Sequence, residues 1–179
     1  MTEILALDVA TTLGWARGRV GGEPTCGSVH FGKPGSSQLA ICGNALKWAI
    51  DTIRDPLPDL VAIEDLLPPA ATKGRRNVDH DLLAHLHGLI MGVCFMRGVY
   101  KVRKHSVNSV RAHFLHGIPH ARGEGKACTI TKAKSLGWLE SDDGDAADAL
   151  ALWSYQCGLL DGNQAVRISP LFSRVRAIA

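Results

Sequence analysis

Apolar residues along this chain alternate between short continuous runs and longer helical periods. Ile4-Leu5-Ala6-Leu7 predicts a central strand over 4–9 whose C-terminal end delivers Asp8. Gly14 to Val20 and Gly27 to Phe31 follow, separated by Gly21-Gly22 and Pro24. Three short strands broken by turn residues predict an antiparallel meander. Ser36 or Ser37 caps a helix expected to run to about Arg54, with Leu39, Cys42, Leu46, Ala49, Ile50 and Ile53 on its apolar side. Pro56 and Pro58 end it. Leu60-Val61-Ala62-Ile63 then reads as a buried strand that ends at Glu64-Asp65.

The second half is mostly helical. Pro68-Pro69 opens a polar loop, and a long helix is expected from Asp79 or Asp81 to about Arg97. Gly88 and Gly92 lie four apart on it, a spacing that admits another backbone, either in the core or at a subunit contact. A strand is expected over 99–102, and a helix capped by Ser106 to about Leu115, with Gly117 and Pro119 beyond it. A basic loop over 120–125 leads into a helix over 126–136. Ser141 to Gly144 form a turn, and Asp145 opens a final alanine- and leucine-rich helix to about Leu160. The layout is mixed α/β with one core over 1–160, followed by a tail over 161–179.

Composition narrows the class. A chain of 179 residues with 46% hydrophobic and 21% charged residues suits one globular domain. No apolar run nears the ~20 residues of a membrane span, and the N-terminus lacks a basic leader, so a cytoplasmic location is expected. The cysteines (Cys26, Cys42, Cys94, Cys128, Cys157) are scattered without a C-x-x-C pair, which argues against a disulfide framework or a zinc site. The net charge of +3 is mild, yet from Arg97 to Lys134 nine cations face the single acid Glu124. Such a block fits a phosphate backbone, or a solvated basic surface.

Four acids bound apolar elements. Asp8 and Glu64 end strands, while Asp145 and Asp148 share a face at the start of the last helix. Singly, Asp145 reads as an N-cap, Asp148 as a first-turn acid favoured by the helix dipole, and Asp8 as the opener of a turn. Glu64 resists such a reading, because a carboxylate in an apolar strand must find a cation or hydrogen bonds. If the two strands are neighbours and the last helix crosses their ends, the acids converge, and only cations make that tolerable. All-oxygen ligands select Mg²⁺ or Mn²⁺, and two such ions ~4 Å apart serve phosphodiester hydrolysis.

Ile4-Leu5-Ala6-Leu7-Asp8, the Thr12-Leu13-Gly14-Trp15-Ala16 stretch, Ala62-Ile63-Glu64, and Asp145 to Ala151 (D-A-A-D-A-L-A) together resemble the RuvC family of Holliday-junction resolvases in order and spacing. The resemblance spans about Ile4 to Tyr155. It implies a ribonuclease H-like fold, a mixed five-stranded sheet flanked by helices, and a homodimer that nicks opposed strands of a four-way junction with Mg²⁺. Asp8, Glu64, Asp145 and Asp148 would then be the metal ligands. Asp8 would bridge two ions, Glu64 would serve mainly one, and the Asp145/Asp148 pair the other. Lys126 resembles the family lysine at the head of the helix after the basic loop, and Arg111 falls where another lysine is usual. Both would contact the scissile region or nearby phosphates. Arg122 in the basic loop and Lys73, Arg75 and Arg76 in the preceding polar loop are further candidates for DNA contact. The chain departs from the family in a shorter turn after Asp8, and in Asp65-Leu66-Leu67 where an aromatic often stacks on bases.

Three rivals share some of these features. A ribonuclease H-like enzyme trimming structured RNA, such as a ribosomal RNA precursor, would use similar acids. An actin- or sugar-kinase-like ATP-binding protein would need a second domain and further glycine-rich loops. A non-catalytic DNA-binding module would have no use for four acids that repel the backbone. His85 and His87 are expected to be structural or surface residues, and the helix from Asp81 to Arg97 is the candidate subunit interface.

Overall fold

The computed structural model describes residues 1–66, 77–116, 118, 121 and 123–163, with the backbone alone for 77–79. The chain runs β1 (Glu3–Asp8), β2 (Thr12–Arg19), β3 (Thr25–His30), α1 (Gln38–Thr52), β4 (Leu60–Glu64), α2 (Asn77–Met96), β5 (Val102–His105), α3 (Val107–Phe114), α4 (Gly125–Ser135) and α5 (Gly144–Leu160). One mixed sheet has the order β3-β2-β1-β4-β5. The β1-β2-β3 meander is antiparallel, and β4 and β5 join it in parallel. This is the mixed five-stranded α/β sheet expected from the sequence.

Strand residues alternate between two cores, as the pleat requires. Leu5, Leu7, Val61 and Ile63 face α1 and α2, where they pack with Ile41, Ala45, Ala49, Leu86 and Ile90. Ile4, Ala6, Leu60 and Ala62 face the other way, onto Ala146, Ala149, Leu150 and Trp153 of α5 and Phe114 of α3. Helix α5 is buried nearly all round, so its small alanines let it lie close against the sheet. Trp153 Nε1 donates to the Gly18 carbonyl at 3.2 Å and ties the helix to β2.

Several local expectations are corrected. The buried side of α1 is Ile41, Ala45 and Ala49, whereas Leu39 is 84% exposed. Helix α2 begins at Asn77, ahead of either acid expected to start it. The fifth strand lies at Val102–His105 instead of 99–102. Gly98 takes a φ of 82°, and the Val99 N–H returns to the Cys94 carbonyl at 2.9 Å. That is a helix C-cap in which Val99 closes α2 instead of opening a strand. Gly88 and Gly92 look onto open space, so among the described residues no core backbone approaches them. The expected caps hold at Ser37 and Ser106, which accept from Ala40 N and Ser109 N. Helix α5 is capped by Asp143, not Asp145. Of the tail, residues from 164 onward lie outside the described residues.

Candidate active site

The parallel register of β1 and β4 pairs Leu7 with Ile63, which sets Asp8 beside Glu64. Side chains alternate along a strand, so both carboxylates share the face of Ala6 and Ala62, the face that α5 covers. The N-terminus of α5 arrives there because β2 carries glycine at position 14. A Cβ on Gly14 would overlap the Asp145 carbonyl oxygen. Asp143 accepts from the backbone N–H groups of Asp145 and Ala146, both at 3.0 Å, so the cap is made by Asp143 and not by the Asp145 carboxylate. Asp148 follows one turn on, its side chain only 11% exposed.

Two cations enter the acid cluster. Lys126 Nζ, from the first turn of α4, lies 2.7 Å from Asp145 Oδ1 and 3.8 Å from Asp148 Oδ2. Arg111, from α3, places a guanidinium nitrogen 3.6 Å from Asp148 Oδ2. Its Nε is buried with no hydrogen-bond partner.

The charge balance falls short. Burial, and then repulsion by Asp148 and Asp145, push the Asp8 carboxyl up to about 7, against the pull of Lys126 and Arg111. Burial and repulsion from Asp8 and Asp148 push Glu64 up to about 8. Burial raises Asp148 as well. Lys126 is affected by burial, which lowers it, but its hydrogen bond to Asp145 and the surrounding acids win and hold it above the usual range. These mutual effects place all four expected acids in one electrostatic neighbourhood with only two cations, Lys126 and Arg111, to balance them. A set of carboxylates without a thiolate suits Mg²⁺ or Mn²⁺. Among the described residues, however, no three His, Cys, Asp or Glu side chains stand in ready-made metal geometry. Lys126 links Asp145 and Asp148, and Arg111 pairs with Asp148.

A cavity of about 380 Å³ opens on the Asp8–Glu64–Arg111 side, with Asp65, Leu66, His80 and His87 in its wall. His87 is 3% exposed and its Nδ1 has no hydrogen-bond partner. Burial, and then the nearby Lys104, push its pKa down to about 4, so the ring is neutral near pH 7. The sequence carried no signal for its place beside the acids, because a helix position says nothing of which neighbour it meets. Four expected DNA contacts (Lys73, Arg75, Arg76 and Arg122) lie outside the described residues.

No protein-family model matches the chain, and no curated protein sequence does. Solved structures do. Thermus thermophilus RuvC in complex with a Holliday junction substrate aligns over 90% of this chain and 97% of its own, at a TM-score of 0.69 and 18% identity. The chain has the RuvC fold. A second Thermus thermophilus RuvC structure aligns at 0.67 and 20% identity, again over 90% of this chain and 97% of its own. The yeast mitochondrial Holliday junction resolvase aligns at 0.57 and 8% identity, over 97% of this chain and 84% of its own. At identities of 8–20% these alignments speak to the fold alone.

Proposed function

We propose that this chain is an endonuclease that cuts branched DNA, resolving four-way junctions by paired nicks with Mg²⁺, for which Mn²⁺ would substitute. One observation carries the reading: Asp8 and Glu64, paired in register, lie under the N-terminus of α5 with Asp145 and Asp148, too crowded to stay ionised without added cations. The RuvC fold supports the same substrate class, since one of the aligned structures is a junction complex.

Asp8, Glu64, Asp145 and Asp148 would hold two divalent ions. When bound, these would activate the attacking water and stabilise the leaving oxygen of the phosphodiester. Arg111, its side chain 37% exposed, would offer the outer end of its guanidinium to a phosphate oxygen near the cut. Lys126 belongs to the same phosphate-facing rim and, freed from Asp145, neutralises charge that develops in the transition state. Partly buried acids with little access to solvent make these charges count for more than they would in water.

A homodimer completes the reading, because a four-way junction has two opposed strands to cut and a two-fold pair of sites matches it. The surface that supports it is the outer face of α2 and the turn after it. There Phe95 and Met96 are each 69% exposed and Tyr100 is 72% exposed, beside the open Gly88 and Gly92. Large apolar side chains exposed together are uncommon on a monomer.

The test is a cleavage assay on four-way, three-way, flap and linear DNA and on structured RNA, with Mg²⁺, with Mn²⁺ and with EDTA. Paired nicks in the four-way junction that EDTA abolishes are expected. Cutting of RNA but not junctions, or cutting that survives EDTA, rejects the proposal.

A further inference from the structure

The placement of Lys126 has a structural cause outside the lysine itself. Its alkyl stem lies across Gly144, the first residue of α5, and a Cβ there would overlap Lys126 Cε and crowd Cδ at 3.2 Å. The backbone of Gly144 is not in the left-handed region, so alanine fits its conformation and only the lysine stem stands in the way. Beyond Gly144 the ammonium reaches Asp145 at 2.7 Å and Asp148 at 3.8 Å, two of the four carboxylates assigned to the metal ions. The lysine side chain is 49% exposed, so it can swing out to solvent without unpacking the core.

We infer that Lys126 is a built-in counter-ion of the acid cluster, which a divalent ion must displace, and that Gly144 is the positioning residue whose missing side chain provides its parking slot. The inference rests on the metal-binding reading above and concerns what precedes cleavage. The physical reason is competition. An ammonium and a divalent ion both draw their stability from Asp145 and Asp148, and the carboxylate oxygen that accepts from Lys126 is not free to ligate at full strength. In the metal-free protein the lysine relieves repulsion between the acids, and in the metal-loaded protein it is released toward the phosphate-facing rim.

The experiment is calorimetric titration of the full chain with MnCl₂ alone, without DNA, on the wild type, Lys126→Met, Gly144→Ala and the double variant. Methionine keeps the stem and removes the charge. Gly144→Ala keeps the charge and removes the slot. Both single variants are expected to bind Mn²⁺ about 3- to 10-fold more tightly, the order of a partly exposed ion pair whose acceptor is half buried. The double variant is expected to match Lys126→Met, because the slot acts only through the lysine. Equal or weaker Mn²⁺ affinity in Lys126→Met overturns the counter-ion role. Tightening in Lys126→Met but not in Gly144→Ala, or full additivity in the double variant, overturns the role of Gly144. Saturable binding in none of the four proteins, wild type included, rejects the metal-binding reading itself and this inference with it.

Discussion

Glu64→Gln should stabilise the metal-free protein at alkaline pH while ending its activity. Glu64 sits at a pKa of about 8 in the folded state, against an ordinary 4.5, because burial and the neighbouring Asp8 and Asp148 disfavour its charge. A carboxyl with a raised folded pKa binds more protons in the native than in the unfolded chain. Stability therefore falls as pH rises from about 4.5 to about 8, and is flat outside that window. Taken alone, the rise corresponds to ~5 kcal/mol, at ~1.4 kcal/mol for each tenfold change in proton affinity. Part of it is repulsion from Asp8, itself raised to about 7 and so titrating over the same range. Relief of the pair is shared between its members, and about 2 kcal/mol is a sounder expectation for one replacement. Urea denaturation in EDTA, from pH 4 to 9, measures it on wild type and variant side by side. Subtracting the two curves cancels the titrations that Glu64 does not influence, including His87, whose depressed pKa of about 4 gives the opposite slope between there and its ordinary 6.5. The difference curve should be level below about pH 4.5, climb through neutrality and level off above about pH 8. A flat difference curve would mean that Glu64 is well solvated or already neutralised, and the crowded-acid account would fall. Added Mn²⁺ should shrink the wild-type loss at pH 8.5 and leave the variant little changed.

Other consequences are simpler to state. Asp148→Asn should abolish junction cleavage and keep junction binding within a few-fold in a mobility-shift assay; retained cleavage would remove it from the site. Arg111→Ala should lower binding and flatten its dependence on salt by close to one phosphate's worth, read from affinities between 50 and 200 mM salt. Gly14→Ala should cost about 2–4 kcal/mol in thermal or urea unfolding, because the obstacle is the Asp145 backbone and not a movable side chain. Phe95→Glu should yield a monomer in sedimentation, and an unshifted dimer would move the interface away from the outer face of α2.

Much of this protein is legible in its residues taken in order. Continuous apolar runs declare β1 and β4, and an acid that stops such a run is conspicuous, so Asp8 and Glu64 could be named as candidates before any coordinates. The D-A-A-D spacing places Asp145 and Asp148 on one helix face by geometry alone. Local chemistry also fixes the Ser37 and Ser106 caps. What misled the reading was local ambiguity. Val99 and Tyr100 have strand-like side chains, but Gly98 turns the chain so that Val99 caps α2. Leu39 has the right hydrophobicity and the wrong angle, since the sheet lies against Ile41, Ala45 and Ala49.

The sequence by itself determined which elements form and which acids interrupt them, because period and turn chemistry act over a few residues. Only the tertiary structure decided that β4 pairs in parallel with β1 at a register that sets Glu64 beside Asp8, and that glycine at 14 admits the head of α5. It also decided that Lys126 lies across Gly144 into the acids, and that His87 meets the cavity wall. These are meetings of residues far apart in the chain. They depend on how layers pack and how closely backbones approach, and no short-range pattern encodes that distance.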